Sequence, residues 1–325
     1  MTDLSELKLQ GVFAKWPKRS SVIKTLRGSR VRSYDRIDKY NTRGHDKNSV
    51  KVVPAVPYGG IGRDLQFEAI AQALEGNAWL PSLASSVAYG LFSWKLDYFW
   101  HENFREIYRE SGRVLNMFNT GLASVDMAFC FLLGWEDDAI YQGYLIHSIL
   151  NRKHYSIIPY EEEHQRGQAF MLRLFADWRG DVSHQWPSYA YDEPIYNGLL
   201  ERWRDPDCNV LVPWLLAACD RHTHETRQDT ETIFYDFGDY VLIRLPIEML
   251  MLFRLREIIG LQNPVIDHPL MEAPFASLPL PQPRVEPDEY MKATLQRVRE
   301  DWPMFDKIVA LDTVRNNQGS DQSPD

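Results

Sequence analysis

The chain has few cysteines and no long uncharged apolar run. Its 325 residues include only Cys130, Cys208 and Cys219, and their irregular spacing excludes a disulfide framework. This cysteine usage is typical of a reducing compartment, so we expect a cytoplasmic protein. No stretch reaches the length of a transmembrane helix, and residues 1–10 lack the apolar core of a signal peptide. The sequence therefore predicts a soluble protein with no membrane partner.

Complete catalytic motifs are also missing. There is no Gly-x-Ser-x-Gly elbow to present a nucleophile. The glycines of Tyr58–Gly62 fit neither the dinucleotide fingerprint nor a Walker loop, and Asp64 beside them would repel a phosphate. We expect a flexible turn at these glycines, no cofactor and no enzymatic activity.

Helical periodicity is what the chain has in abundance from Asp64 onward. Gly76, Gly134 and Gly260 stand where helices should stop, and Asp192 and Pro194 where one should begin. Tyr240–Leu245 is the only good strand candidate. The pattern predicts helices at Leu65–Glu75, Ser82–Glu110, Val114–Leu133, Glu136–Leu150, Glu161–Trp178, Pro194–Trp203, from Pro246 to the stop at Gly260, and Pro287–Glu300.

The predicted fold class is all-α or nearly so. We expect a multi-helix bundle of antiparallel hairpins with an extended N-terminal segment. Prolines between Pro264 and Pro287 leave no helical period, which predicts an extended C-terminal crossing segment. The predicted organisation is a basic segment at residues 1–60, a helical domain at 61–312 and a disordered tail at 313–325.

Charge is distributed unevenly along the chain. The formal net charge is −9, yet residues 1–60 are strongly basic, so the remainder is strongly acidic. An acidic body repels nucleic acid and attracts cationic partners. The alternative is a nucleic-acid-associated protein that uses the basic segment, in which Tyr34 and Tyr40 interleave with Arg and Lys.

Two groups of residues have metal-ligand chemistry. Cys219, His222 and His224 are close in sequence and favour an alternative function as a helical metalloenzyme. Glu161 and His164 have the Glu-x-x-His spacing of di-iron bundles, but the second such pair that those bundles need is missing. We therefore predict no metal site and interpret both groups as polar helix ends.

Acidic residues interleaved with aromatic ones fill the region from Tyr189 to Tyr240. This composition suits a surface that captures a basic partner, because complementary charge raises association rates and specificity. The predicted partner-binding residues are Asp192, Glu193, Asp220, Glu225, Asp229, Glu231, Asp236 and Asp239.

The order of several segments resembles that of the PoNi-type immunity proteins. Met117–Ala128, followed by Leu132–Asp138, is similar to the middle helix of that family and its short Gly/acidic turn. Phe234–Tyr240, the helix from Pro246, and the turn at Gly260 with the Pro-containing tail then follow in the family's order. The resemblance covers about residues 64–280.

The resemblance implies an all-helical immunity protein. Such a protein is encoded beside a secreted antibacterial toxin, often a nuclease, that type VI or contact-dependent secretion delivers. It neutralises the toxin by blocking its active site or substrate groove. The expected partner is therefore the toxin encoded by a neighbouring gene, and an acidic surface offered to a nuclease's cationic groove is the physical basis of binding.

Overall fold

A computed structural model describes residues 3–9, 11–12, 23–43, 53–111, 118–150, 165–182, 184, 186, 188–227, 230, 235–275 and 278–317. These residues form an all-α fold without a strand, which confirms the predicted class. The α-helices in chain order are Ile23–Arg43 (α1), Ala55–Leu74 (α2), Leu80–Ser111 (α3), Thr120–Leu133 (α4), Glu136–Leu150 (α5), Arg166–Arg179 (α6), Pro194–Arg202 (α7), Val212–His224 (α8), Ile247–Ile258 (α9), Glu289–Asp301 (α10), Phe305–Ile308 (α11) and Leu311–Asn316 (α12).

Contacts within the chain divide it into two compact units. Unit 1 comprises Met1–Pro17, Asn119–Ala139 and Ile157–Pro281, and unit 2 comprises Lys18–Phe118, Ile140–Ser156 and Gln282–Asp325. These limits differ from the segment boundaries at residues 60 and 312 that the sequence predicts. Residues 313–316 of the predicted tail form the end of α12, while 318–325 lie outside the described residues.

In unit 2, the N-terminal segment predicted to be extended contains the long helix α1. The helix has an apolar face, because Ile37 and Tyr40 are buried at three-residue spacing. The Tyr40 hydroxyl donates to Asp301 of α10 at 3.3 Å, and Arg30 pairs with Glu68 of α2 at 2.7 Å. Helix α1 of the basic segment therefore packs within unit 2, where Arg30 pairs with an acid of α2.

Helix α2 overturns the predicted flexible turn at Tyr58–Gly62. The helix begins at Ala55, well before the predicted start at Leu65, and Asp64 lies buried inside it. A Cβ on Gly62 would lie 3.1 Å from two backbone atoms of α3, Gly90 N and Ser86 O. Gly62 therefore permits close helix packing and is not a flexible turn residue, a distinction that periodicity alone does not reveal.

This packing sets opposite expectations for two glycines of α2. Gly62→Ala is expected to destabilise the protein by about 1–3 kcal/mol, because backbone atoms of α3 cannot move aside for the new methyl group. Gly60→Ala is the matched control. Its Cβ would meet only the Ser33 hydroxyl at 3.4 Å, so the better helix propensity of Ala should stabilise by up to about 1 kcal/mol.

Urea unfolding of the two variants measures this contrast. Equal stability changes in the two variants would contradict the close α2–α3 approach, because helix propensity alone treats both glycines alike.

In unit 1, the ends of α4 and α9 lie where glycines predict them. Gly134 and Gly260 follow the two helices with φ of 74° and 79°. Helix α4 begins at Thr120, with the Asn119 side chain accepting from the Leu122 N–H at 2.9 Å. The earlier start predicted at Val114 falls partly outside the described residues, which resume at 118.

Two predictions about the rest of unit 1 are wrong. The cap of α7 is Glu193 and not Asp192, since the Glu193 carboxylate accepts from the Ile195 N–H at 3.2 Å. The predicted strand Tyr240–Leu245 is not formed, because Tyr240–Arg244 forms consecutive turns. Asp239 initiates the turns by accepting from the Val241 N–H at 2.9 Å, a local bond that competes with a strand ladder.

Candidate functional site

A buried guanidinium stands at the centre of the predicted acidic region. Arg221 lies on α8 and is only 8% exposed. Its Nε donates to Glu193 at 2.5 Å and its Nη2 to Asp236 at 2.8 Å. A third donor, Nη1, lies 3.4 Å from the Tyr196 hydroxyl. Burial works to lower the pKa of Arg221, but Asp236, Tyr196 and Glu193 together raise it well above the ordinary value.

Asp236 connects Arg221 to the first turn of α6. Its carboxylate accepts from the backbone N–H groups of Arg166 and Gly167 at 3.0 and 2.9 Å. A negative charge at this position is stabilised by the helix dipole as well as by the guanidinium. The Gln168 side-chain amide donates to the Asp236 carbonyl at 2.8 Å, so both ends of the residue are held.

This geometry corrects the prediction that Asp236 lies on a partner-binding surface. Its side chain is 0% exposed, and its carboxylate is paired with Arg221 and hydrogen-bonded to the α6 backbone. Glu193 is 18% exposed and is used twice, by Arg221 and by the start of α7. Both residues therefore stabilise the interior of unit 1 and are not free to bind another protein.

A second buried pair lies beside this cluster. The His222 Nδ1 is 2.7 Å from Glu248 Oε1, and its Nε2 is 2.9 Å from the Leu242 carbonyl oxygen. The His222 ring also stacks on Phe237 with centroids 3.9 Å apart. Since a carboxylate and a carbonyl both accept, the two contacts need two protons, one on Nε2 and one between Nδ1 and the Glu248 carboxyl group.

The other predicted acids are dispersed in unit 1. The Asp220 carboxylate lies 3.1 Å from His268 Nε2, and Asp239 initiates the turns described above. Glu225 accepts from the Asp236 N–H at 3.3 Å, and burial raises its pKa against the opposing effect of Arg221. Asp192 is the most open, with 53% of its side chain exposed.

Asp229 and Glu231 lie outside the described residues, as do Glu161 and His164.

The Cys219, His222 and His224 group does not converge. Both ring nitrogens of His222 are engaged as above, and His224 Nε2 is 2.6 Å from the Gly11 carbonyl. Burial raises the pKa of the Cys219 thiol well above its ordinary value, which disfavours the thiolate that binds metals. Within the described part of the chain, no group of three or more His, Cys, Asp or Glu side chains is placed to hold a metal ion.

Sequence reasoning missed the residues that organise this cluster. Arg221 lies among acids in the sequence, and Glu248 lies in the first turn of α9, where the helix dipole is a sufficient explanation for an acid. One signal was present, because Glu248 is flanked by Ile247 and Met249–Phe253 and is surrounded by core residues. A lone acid in such a run needs a buried partner.

The surface charge of the two units differs in sign. Over its sequence, unit 1 carries 26 acidic and 12 basic side chains, a formal net charge of −14. Unit 2 carries 19 acidic and 24 basic side chains, a formal net charge of +5. Among the described residues of unit 1, three acids and three bases are buried, so burial does not change the acidic excess of these residues. The six buried side chains are Asp126, Asp236, Glu248, Arg221, Arg254 and Arg256.

No protein-family model matches this chain, and neither a curated protein nor a solved structure is detectably similar to it. None of the described helices is both long and apolar enough to cross a bilayer.

Proposed function

We propose that this chain is an immunity protein that binds and neutralises a cationic toxin through the acidic surface of unit 1, and that this toxin is a nuclease. The observation that carries the proposal is the net charge of −14 on that unit, against +5 on the other. A nuclease presents a cationic groove to its nucleic acid, so a protein with this field competes for the same groove.

Complementary charge acts first on association. Opposite potentials steer diffusional encounter and raise association rate constants well above the neutral range. They also disfavour partners of the wrong sign, which gives specificity. An inhibitor that must bind its toxin before the toxin finds a substrate benefits from both effects.

The buried cluster supports this function by fixing the shape of unit 1. Arg221 joins α8 to the start of α7 through Glu193, and to the start of α6 through Asp236. A surface whose elements are held in this way loses little conformational entropy when it binds. The internal acids therefore contribute to stability, and the exposed acids contribute to binding.

The test is co-expression in bacteria with the product of the adjacent gene. We expect that product alone to stop growth, and this chain to restore growth and co-purify with it. A harmless neighbour, or rescue without a complex, would contradict the proposal.

Two matched triple variants locate the binding surface. Asp192→Lys, Glu201→Lys and Glu272→Lys reverse three exposed acids of unit 1, and we expect them together to weaken the complex at least about tenfold. Asp35→Lys, Glu286→Lys and Asp312→Lys make the same change of charge on exposed acids of unit 2. Equal weakening by both sets would contradict the assignment to unit 1.

A further inference from the structure

A small pocket opens in unit 1 where α4 ends and α5 begins. Its volume is about 260 Å³, and its lining includes Phe131, Glu136, Glu257, Ile258 and Pro281. Sites for drug-sized molecules occupy roughly 300–1,000 Å³, so this pocket matches one side chain better than a cofactor.

The pocket has rigid walls. Gly134 turns the chain with φ of 74°, and a Cβ there would lie 2.8 Å from Pro281 Cβ. Arg254 of α9 forms part of the lining and is held by several acceptors at once. It donates to the carbonyl oxygens of Phe131 at 3.1 Å, Leu132 at 3.2 Å and Pro279 at 2.6 Å. The cavity is thus formed before any ligand arrives.

Charge in the pocket is negative on balance. Glu257 accepts from Arg254 at 2.7 Å, so these two opposite charges offset one another. The end of α4 and the start of α5 contribute dipole charges of about −0.5 and +0.5, which also cancel. Glu136 remains as an exposed carboxylate with no ion-pair partner among the described residues. The pocket therefore favours a cation.

Apolar side chains lie exposed in the segments that line the pocket. Leu280 precedes Pro281 and is 82% exposed, and Ile259 follows Ile258 and is 39% exposed. The lining itself combines the Glu136 carboxylate with the apolar side chains of Phe131, Ile258 and Pro281, which suits the long apolar stem and charged head of Arg or Lys.

We propose that this pocket receives one Arg or Lys side chain of a partner protein, with Glu136 as its counter-charge and Leu280 and Ile259 contacting an apolar neighbour of that side chain. The inference rests on the proposed function, in which the partner is cationic. It adds a specific anchor to a surface otherwise defined by net charge, and Arg is enriched among such interface anchors.

The test uses short peptides in place of the unidentified partner. The full-length chain with labelled isoleucine methyl groups is titrated by NMR with Ac-Leu-Arg-Leu-amide, and separately with Ac-Leu-Glu-Leu-amide. We expect saturable shifts at Ile258 and Ile259 with the arginine peptide only. Glu136→Gln should weaken that binding about tenfold, whereas Asp267→Asn, which removes an exposed acid elsewhere in unit 1, should leave it unchanged.

The outcomes separate the two proposals. Shifts with the glutamate peptide, no saturable shift with the arginine peptide, or equal weakening by Glu136→Gln and Asp267→Asn would each overturn the pocket assignment. These results do not depend on the toxin. A functional anchor is then shown if Glu136→Gln speeds dissociation of the toxin complex, and a complex indifferent to Glu136 would contradict the anchor even where co-expression upholds immunity.

Discussion

Replacing Asp236 by alanine is expected to destabilise the protein by about 3–5 kcal/mol, because it leaves a buried guanidinium without its closest fully buried counter-ion. Asp236 is 0% exposed and accepts from Arg221 at 2.8 Å. Two backbone N–H groups at the start of α6 lose their acceptor in the same variant. Glu193 stays beside Arg221 and offsets part of the loss, which keeps the expected value within the range for a broken buried pair.

Asp192→Ala is the control for this variant. Asp192 is also an aspartate near the start of α6, but it is 53% exposed and lies 3.8 Å from Arg166. Exposed pairs of this kind contribute up to about 1 kcal/mol. Urea unfolding followed by tryptophan fluorescence gives both values. A loss of unfolding free energy below about 1 kcal/mol in Asp236→Ala would show that the buried cluster of Arg221 and Asp236 does not stabilise unit 1 as described above.

Removing Glu248 is expected to have a comparable effect, about 3–5 kcal/mol for Glu248→Ala. His222 would then keep its contact with the Leu242 carbonyl but lose the carboxylate 2.7 Å from its Nδ1. A cavity left in the core adds to the loss. Both side chains are 0% exposed, so water cannot replace the missing partner.

A double variant separates the pair from the packing around it. His222→Phe combined with Glu248→Leu removes both polar partners and keeps apolar volume, so most of the lost stability should return. Free energies of unfolding for the single variants His222→Phe and Glu248→Leu and for the double variant complete the cycle. If the two single losses simply add in the double variant, then His222 and Glu248 are not energetically coupled.

The sequence predicted those helix limits that depend on local chemistry. Gly134 and Gly260 end helices because they adopt positive φ, and the acidic first turn from Glu136 begins α5 at the predicted residue. The start of α2 was missed because Gly59, Gly60 and Gly62 look like turn residues in isolation. Their role depends on a neighbouring helix, which local patterns do not contain.

The candidate site was less predictable for a related reason. A run of acids has the same appearance in a sequence whether its members face water or a buried arginine. Asp236 and Asp192 are both aspartates in the same acidic region, yet the side chain of Asp236 is fully buried and that of Asp192 is half exposed. Only the position of Arg221 distinguishes them, and that position results from long-range packing of α8 between segments distant in the chain.

The uneven charge predicted along the sequence is present in the structure, but it follows the two units and not the predicted segments. Composition predicts a separate basic segment at residues 1–60, whereas the structure divides that segment at Pro17 and includes the part from Lys18 in unit 2 with α2, α3 and α10. The acidic excess is confined to unit 1. The resemblance to PoNi-type immunity proteins stays a prediction, and the charge of unit 1 gives it a physical form that can be tested.

The most direct test of the central claim is the salt dependence of the association rate between this chain and the neighbouring gene product. Stopped-flow rates are measured from about 10 mM to about 500 mM salt, a range over which the Debye length falls below the separation of surface charges. We expect the association rate to fall steeply with salt for the wild type and for the unit 2 triple variant, and to be slower and less dependent on salt for the unit 1 triple variant. Rates that are insensitive to salt, or that change only with the unit 2 variant, would contradict capture of a cationic partner by unit 1.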